Sequence, residues 1–174
     1  MKLLGLFLYH TIGKHLPKSY SKIKIGQTFF RRICAKMILK KCGKKVNIEK
    51  GAIFSSKIEL GDYSGIGVNC YVAHAIIGNH VMIGPNCWIF SRNHKHDRID
   101  ITMDLQGYEE EKPVVIHDDV WIGANVTILP GVEIGKGSVI GASTVVTKNV
   151  PEYSIYCGNP GKVVKYRNEV QNNE

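Results

Sequence analysis

The 174-residue chain is 44% hydrophobic and 22% charged, and no stretch approaches the roughly 20 apolar residues of a spanning helix. Disorder and a polytopic membrane architecture are therefore excluded. The net charge of +8 is lopsided: residues 1–50 carry 13 Lys or Arg against the single acidic Glu49, while residues 51–174 carry 10 basic and 14 acidic side chains, which excludes a nucleic-acid-binding fold with a basic face.

Residues 1–45 form a basic segment with interspersed apolar residues, as in Phe29-Phe30-Arg31-Arg32-Ile33. Leu3, Leu6, Phe7 and His10 recur at helical spacing, which predicts one or two short helices. The apolar run Leu3 to Tyr9 is short for a secretory leader, contains Gly5 and lacks a following cleavage site, so it reads as retained. Five scattered cysteines without a CxxC pair suit a reducing compartment, and the protein is expected to be cytoplasmic. The basic segment has two readings. It covers an open end of the following domain, or it rests on the anionic inner face of a membrane.

From residue 46 a period of six takes over. Aliphatic markers stand at Ile48, Phe54, Leu60, Ile66 and Val72, slip by one to Ile77, Ile83 and Ile89, and resume at Ile116, Ile122, Ile128, Ile134, Ile140 and Val146. Four residues after many markers comes a second small or β-branched residue, such as Ala52, Ser64, Cys70, Val126 or Thr144. This period is neither helical nor simple strand alternation, and it suits short strands joined by tight corners. Three sides give an 18-residue coil, and stacked coils rise by about 4.8 Å to form a parallel β-helix. Glycine follows half of the markers, and the expected reason is corner geometry together with close coil contact.

The period breaks between Ile89 and Ile116. The intervening polar stretch, loop 91–114, contains Asn93-His94-Lys95-His96-Asp97 and reads as a functional loop thrown out from the prism. The repeats run to about residue 166, leaving 167–174 as a tail.

The repeat resembles that of the hexapeptide acyltransferases, whose domains are left-handed parallel β-helices that assemble as trimers. Lys112-Pro113-Val114 with Trp121-Ile122-Gly123 is similar to the KPV…WIG segment of maltose and galactoside O-acetyltransferases. Val145-Val146-Thr147-Lys148-Asn149-Val150-Pro151 with Gly158-Asn159-Pro160-Gly161-Lys162-Val163-Val164 resembles their VVTKDVP…GNPAKVI ending. The basic opening looks more like that of polysaccharide O-acetyltransferases.

The resemblance implies a homotrimer that uses acetyl-CoA as acyl donor, needs no metal, and acetylates a hydroxyl of a sugar or polysaccharide precursor. His94 takes the place of the family's loop histidine, the general base, and Asp97 that of the acidic position; Lys95 replaces a proline. Histidine suits the base role because its unperturbed pKa of about 6.5 lies near working pH. No nucleophile elbow is present, so direct attack by the acceptor is expected in place of an acyl-enzyme. CoA contacts carried over from the family fall on Ala124 and Ala142, on Thr147 and Lys148, and on Lys162 and Lys165. Ala124 and Ala142 lie 18 apart, and so should stack on one face. The family's acceptor-binding asparagine aligns with Ala73, leaving His74 beside it as the substitute. Two alternatives remain at this point: a zinc lyase of carbonic-anhydrase type using histidines such as His74 and His80, and a structural β-helix without chemistry.

Overall fold

The computed structural model describes residues 1–167, so of the predicted tail only Arg167 falls inside the described residues. The chain winds a three-sided parallel β-helix of about six turns behind a short helical segment. The first sheet stacks Lys41–Cys42, Glu59–Leu60, Ala75–Ile77, Val114–Ile116 and Glu133–Ile134. The second stacks Asn47–Ile48, Gly65–Ile66, Met82–Ile83, Trp121–Ile122, Val139–Ile140 and Ser154–Gly158. Ile53–Phe54, Tyr71–Val72, Trp88–Ile89, Thr127–Ile128 and Val145–Val146 make the third. A last strand, Gly161–Tyr166, folds back antiparallel on Ser154–Gly158, an ending that the repeat does not announce.

Registers reproduce the repeat. Lys41 pairs with Glu59 and Thr127 with Val145, a coil of 18 residues. The slip after Val72 makes one coil of 17, pairing Leu60 with Ile77 and Gly65 with Met82. Every marker is buried except Phe54, which is half-exposed and packs edge-on against Tyr9 at 4.8 Å between ring centroids. The small second-position residues are buried as well, Ser138 and Thr144 among them. A prism this narrow admits one large side chain per side, which the Ile-then-small alternation supplies.

One expectation is corrected here. The glycines that follow markers do not take left-handed backbone angles; those fall three residues after the marker, at Asn69, Asn86, Asn125, Gly131, Gly137 and Ser143 among others. The marker-plus-one glycines serve close approach alone. A Cβ on Gly84 would sit 2.7 Å from the Gly123 carbonyl carbon, and one on Gly123 would sit 2.7 Å from the Ala142 nitrogen. Neither neighbour can move, because both are backbone.

Hydrogen bonds between coils run in both directions: Asn47 N–H donates to Ser64 O (3.0 Å) and Glu49 N–H to Ile66 O (2.9 Å), while Asn69 N–H donates back to Lys50 O (3.0 Å). The outer side of the first coil therefore presents carbonyls with no coil before them. Donors must meet them, because buried acceptors without partners cost free energy. Two helices, α1 (Lys2–Leu8, continued by a wider turn over Tyr9–Gly13) and α2 (Gln27–Ile38), cover that end. Arg31 donates through Nε to Ile48 O, Arg32 through Nε to Val46 O (2.9 Å), and the Tyr9 hydroxyl to Ala52 O (2.7 Å). The capping role of the basic segment is thus seen directly. Gly5 lets α1 cross α2 closely, since a Cβ there would lie 2.7 Å from Met37 Cβ.

Candidate active site

His94, Thr147, Lys148, Ala124 and Ala142 lie on two edges of the prism. The loop leaves the third sheet after Trp88–Ile89 and rejoins the first at Val114–Ile116, so it stands on the edge between those sheets. Thr147 and Lys148 follow the strand Val145–Val146 and lie, exposed, on that same edge. Ala124 and Ala142 follow strands of the second sheet and occupy the edge between the second and third. They stack on adjacent coils as their spacing requires, with the Ser143 N–H donating to Ala124 O at 2.8 Å. Lys162 and Lys165 project from the final antiparallel strand, opposite Cys157 and Ile155, and are exposed.

Within the loop, His94 is fixed by two contacts that its own sequence phrase does not reveal. Its backbone bridges antiparallel to Tyr108, flanked by Lys95 N–H to Gly107 O (3.0 Å) and Glu109 N–H to Asn93 O (2.9 Å). Its ring packs on the Tyr108 ring at 4.2 Å between centroids, and the Arg92 guanidinium lies 4.1 Å from the centre of the same tyrosine. A solvent-facing histidine thereby gains a preferred orientation. His96 turns its Nδ1 back to the His94 carbonyl at 3.2 Å. Asp97 is exposed, and neither histidine is hydrogen-bonded to it among the described residues.

The loop's return is clamped to the prism by Glu111. Its carboxylate bonds the Lys57 ammonium at 2.5 Å and accepts from the Ser91 hydroxyl at 3.0 Å. The Lys57 bond holds that carboxyl below the usual carboxylate range, against partial desolvation. His74 lies beside this cluster, Nδ1 3.5 Å from Glu111 but out of line for a hydrogen bond, and that nitrogen is buried without a partner. His80 sits on a different edge, stacked on Tyr63 at 4.9 Å. The two histidines of the zinc alternative therefore do not converge. Among the described residues no group of three or more His, Cys, Asp or Glu side chains is placed to hold a metal ion.

A cleft of about 340 Å³ opens on the second sheet toward the capped end, where Gly65 and Gly67 present no side chain. Tyr20, Tyr63 and Met82 wall it, and Asn47 and Glu49 give it a polar end. Sequence reasoning missed this cleft. Only the glycine at a strand position normally filled by a larger residue signals it.

Residues 113–148 match the family described as bacterial transferase hexapeptide (six repeats). Over that stretch the chain is similar to the hexapeptide-repeat transferases. A maltose O-acetyltransferase from Clostridium difficile superposes with a TM-score of 0.76 at 29% identity, covering 95% of this chain and 85% of that one. A galactoside acetyltransferase in complex with coenzyme A gives a TM-score of 0.68 at 26% identity, covering 99% and 84%. A putative acetyltransferase of Saccharomyces cerevisiae is 43% identical over 115 residues, which are 64% of this chain and 57% of that protein. The matches span between 37% and 57% of the length of the curated relatives that the chain matches over more than 90 residues.

Proposed function

We propose that the protein is a CoA-dependent O-acetyltransferase that moves an acetyl group from acetyl-CoA to a hydroxyl of a sugar or polysaccharide precursor. The observation that carries this is the oriented His94, held on Tyr108 on the edge that also bears Thr147 and Lys148. His94 accepts the proton of the acceptor hydroxyl as its oxygen attacks the thioester carbonyl carbon. The tetrahedral intermediate then collapses, the carbon–sulfur bond breaks, and the imidazolium returns its proton to the CoA thiolate. Asp97 and His74, flanking the loop's tip and base, contact the acceptor. Lys162 and Lys165 meet the phosphates of CoA, and Ala124 and Ala142 leave room for its pantetheine arm. No metal enters this reaction.

The unit is proposed to be a homotrimer. On one prism the full width of the third sheet separates the His94 edge from the Ala124 edge. A groove that touches both is formed where the edge of one prism meets that of its neighbour. Five free cysteines, three of them buried, fit a cytoplasmic setting.

The deciding experiment is acetyl-CoA turnover against a panel of sugars. His94→Ala should lower kcat by about 10²–10⁴-fold with CoA binding retained, and His96→Ala should leave it largely intact. Mixed oligomers of His94→Ala and Ala142→Trp should regain part of the activity, because one of their grooves combines the two intact edges. Full activity in His94→Ala, or no acyl-CoA binding by the wild type, refutes the proposal.

A further inference from the structure

The capping role leaves half of the N-terminal segment unexplained. One side of each helix faces inward: Gly5 and Tyr9 of the first helix and its continuation, and Cys34, Ala35 and Ile38 of the second, are buried. The outward side is apolar too. Leu3 is 83% exposed, Phe7 64% and Phe29 66%, and the connecting segment adds Ile23 and Ile25. These large side chains lie on one end of the molecule, and nothing in the fold covers them.

Lysines are interleaved with them. Arg31 and Arg32 are turned inward to the first coil's carbonyls, but Lys2, Lys18, Lys22, Lys24 and Lys36 remain exposed among the apolar groups. A surface that is both greasy and cationic favours one class of partner. A second copy of the same face would bring like charges together, and nucleic acid would gain nothing from exposed leucine and phenylalanine. An anionic bilayer satisfies both components, with apolar side chains entering the acyl boundary and ammonium groups among the headgroups. The net-acidic β-helix would be repelled by the same bilayer, which orients the capped end downward. No helix of the described residues is long and apolar enough to cross a membrane, so the contact lies on the surface.

We infer that the outward face of residues 2–36 is a docking surface for an anionic phospholipid bilayer. The inference is independent of the acetyl-transfer reading. It is tested by flotation of the full chain with vesicles of phosphatidylglycerol and phosphatidylcholine against pure phosphatidylcholine. Binding should be at least about tenfold stronger to the anionic vesicles and weaken as salt rises. Leu3→Ser/Phe7→Ser and Lys22→Glu/Lys24→Glu should each reduce it by about tenfold or more, with unchanged melting and circular dichroism. If the first pair disturbs folding, the charge pair decides alone. Failure to float with anionic vesicles overturns the inference, and so does binding that the lysine substitutions leave untouched. Concentration-dependent self-association that Leu3→Ser/Phe7→Ser abolishes, without vesicle binding, also overturns it and assigns the face to a second copy.

Discussion

Arg31→Met tests the account of the capped end most severely. Arg31 is fully buried in the second helix. Its Nε donates to Ile48 O, its Nη1 to Pro17 O (2.9 Å) and Leu16 O (3.3 Å), and its Nη2 lies 3.7 Å from the Glu49 carboxylate. Burial lowers the pKa of this guanidinium, and the Glu49 charge opposes that shift. Methionine fills similar space but donates nothing, so three carbonyls lose their donor and the Glu49 carboxylate, still held by Ser19 and Asn47, loses its neighbouring positive charge. Breaking a buried ion pair from one side costs about 3–5 kcal/mol, which for a chain of this length lowers Tm by roughly 6–20 °C. Urea denaturation gives the magnitude, and hydrogen exchange gives the place. Protection should fall at the amides of Asn47 and Glu49, which bond the second coil, and persist across Thr127 and Gly141. Arg31→Met/Glu49→Gln should lose less than the sum of the single changes, with a coupling of about 0.5–3 kcal/mol. A loss below about 1 kcal/mol, or exchange that rises evenly along the prism, would refute the reasoning.

Glu49 makes the same end acid-sensitive. Burial raises its carboxyl pKa, but the Ser19 amide, Asn47 and Arg31 together bring it below the usual carboxylate range. Its stabilising contribution is complete above the unfolded carboxylate pKa and is lost as pH falls through the lower folded value. Stability measured from pH 7 to pH 3 should therefore fall less steeply in Glu49→Gln than in wild type. Gly123→Ala forces a Cβ against the Ala142 nitrogen and should cost about 1–3 kcal/mol by denaturant melting. Gly131→Ala should cost less, because the nearest atom there, Lys112 Cβ, is 3.2 Å away against 2.7 Å at Gly123, which leaves mainly the strain of its left-handed backbone. Tyr108→Leu removes the surface that orients His94 and should lower kcat about 2–10-fold with little change in KM for acetyl-CoA. Tyr108→Phe should restore the rate; a KM effect in its place would assign Tyr108 to substrate contact.

The prism was legible because its core obeys a local rule: Ile122, Ile128 and Ile134 point inward whatever surrounds them. The slip at Val72 and the loop after Ile89 were legible for the same reason, as departures from a strict period. The left-handed corners were not, because that conformation is shared among Asn, Gly, Ser, Lys and aromatic residues, and no residue type marks it. Phe54 departs from the buried series because Tyr9, 45 residues away in sequence, completes its environment. Long-range pairings of that kind leave no trace in spacing. The stacking of Ala124 over Ala142 followed from arithmetic, whereas the seat of His94 on Tyr108 did not. An aromatic 14 positions downstream in a polar loop carries no signal until the backbone bridge is seen.

The uniform coil also makes the molecule a ruler. Between the loop and the closing hairpin the chain can gain or lose length only in whole coils, each worth about 4.8 Å along the axis. Excising residues 117–134 would join Ile116 to Gly135 in the existing register and leave both ends as they are. Lys162 and Lys165 would then stand one graduation closer to His94. The reach of a bound thioester from its phosphates to the transferring carbon is fixed by covalent bonds, so the number of coils in that interval would be set by the cofactor.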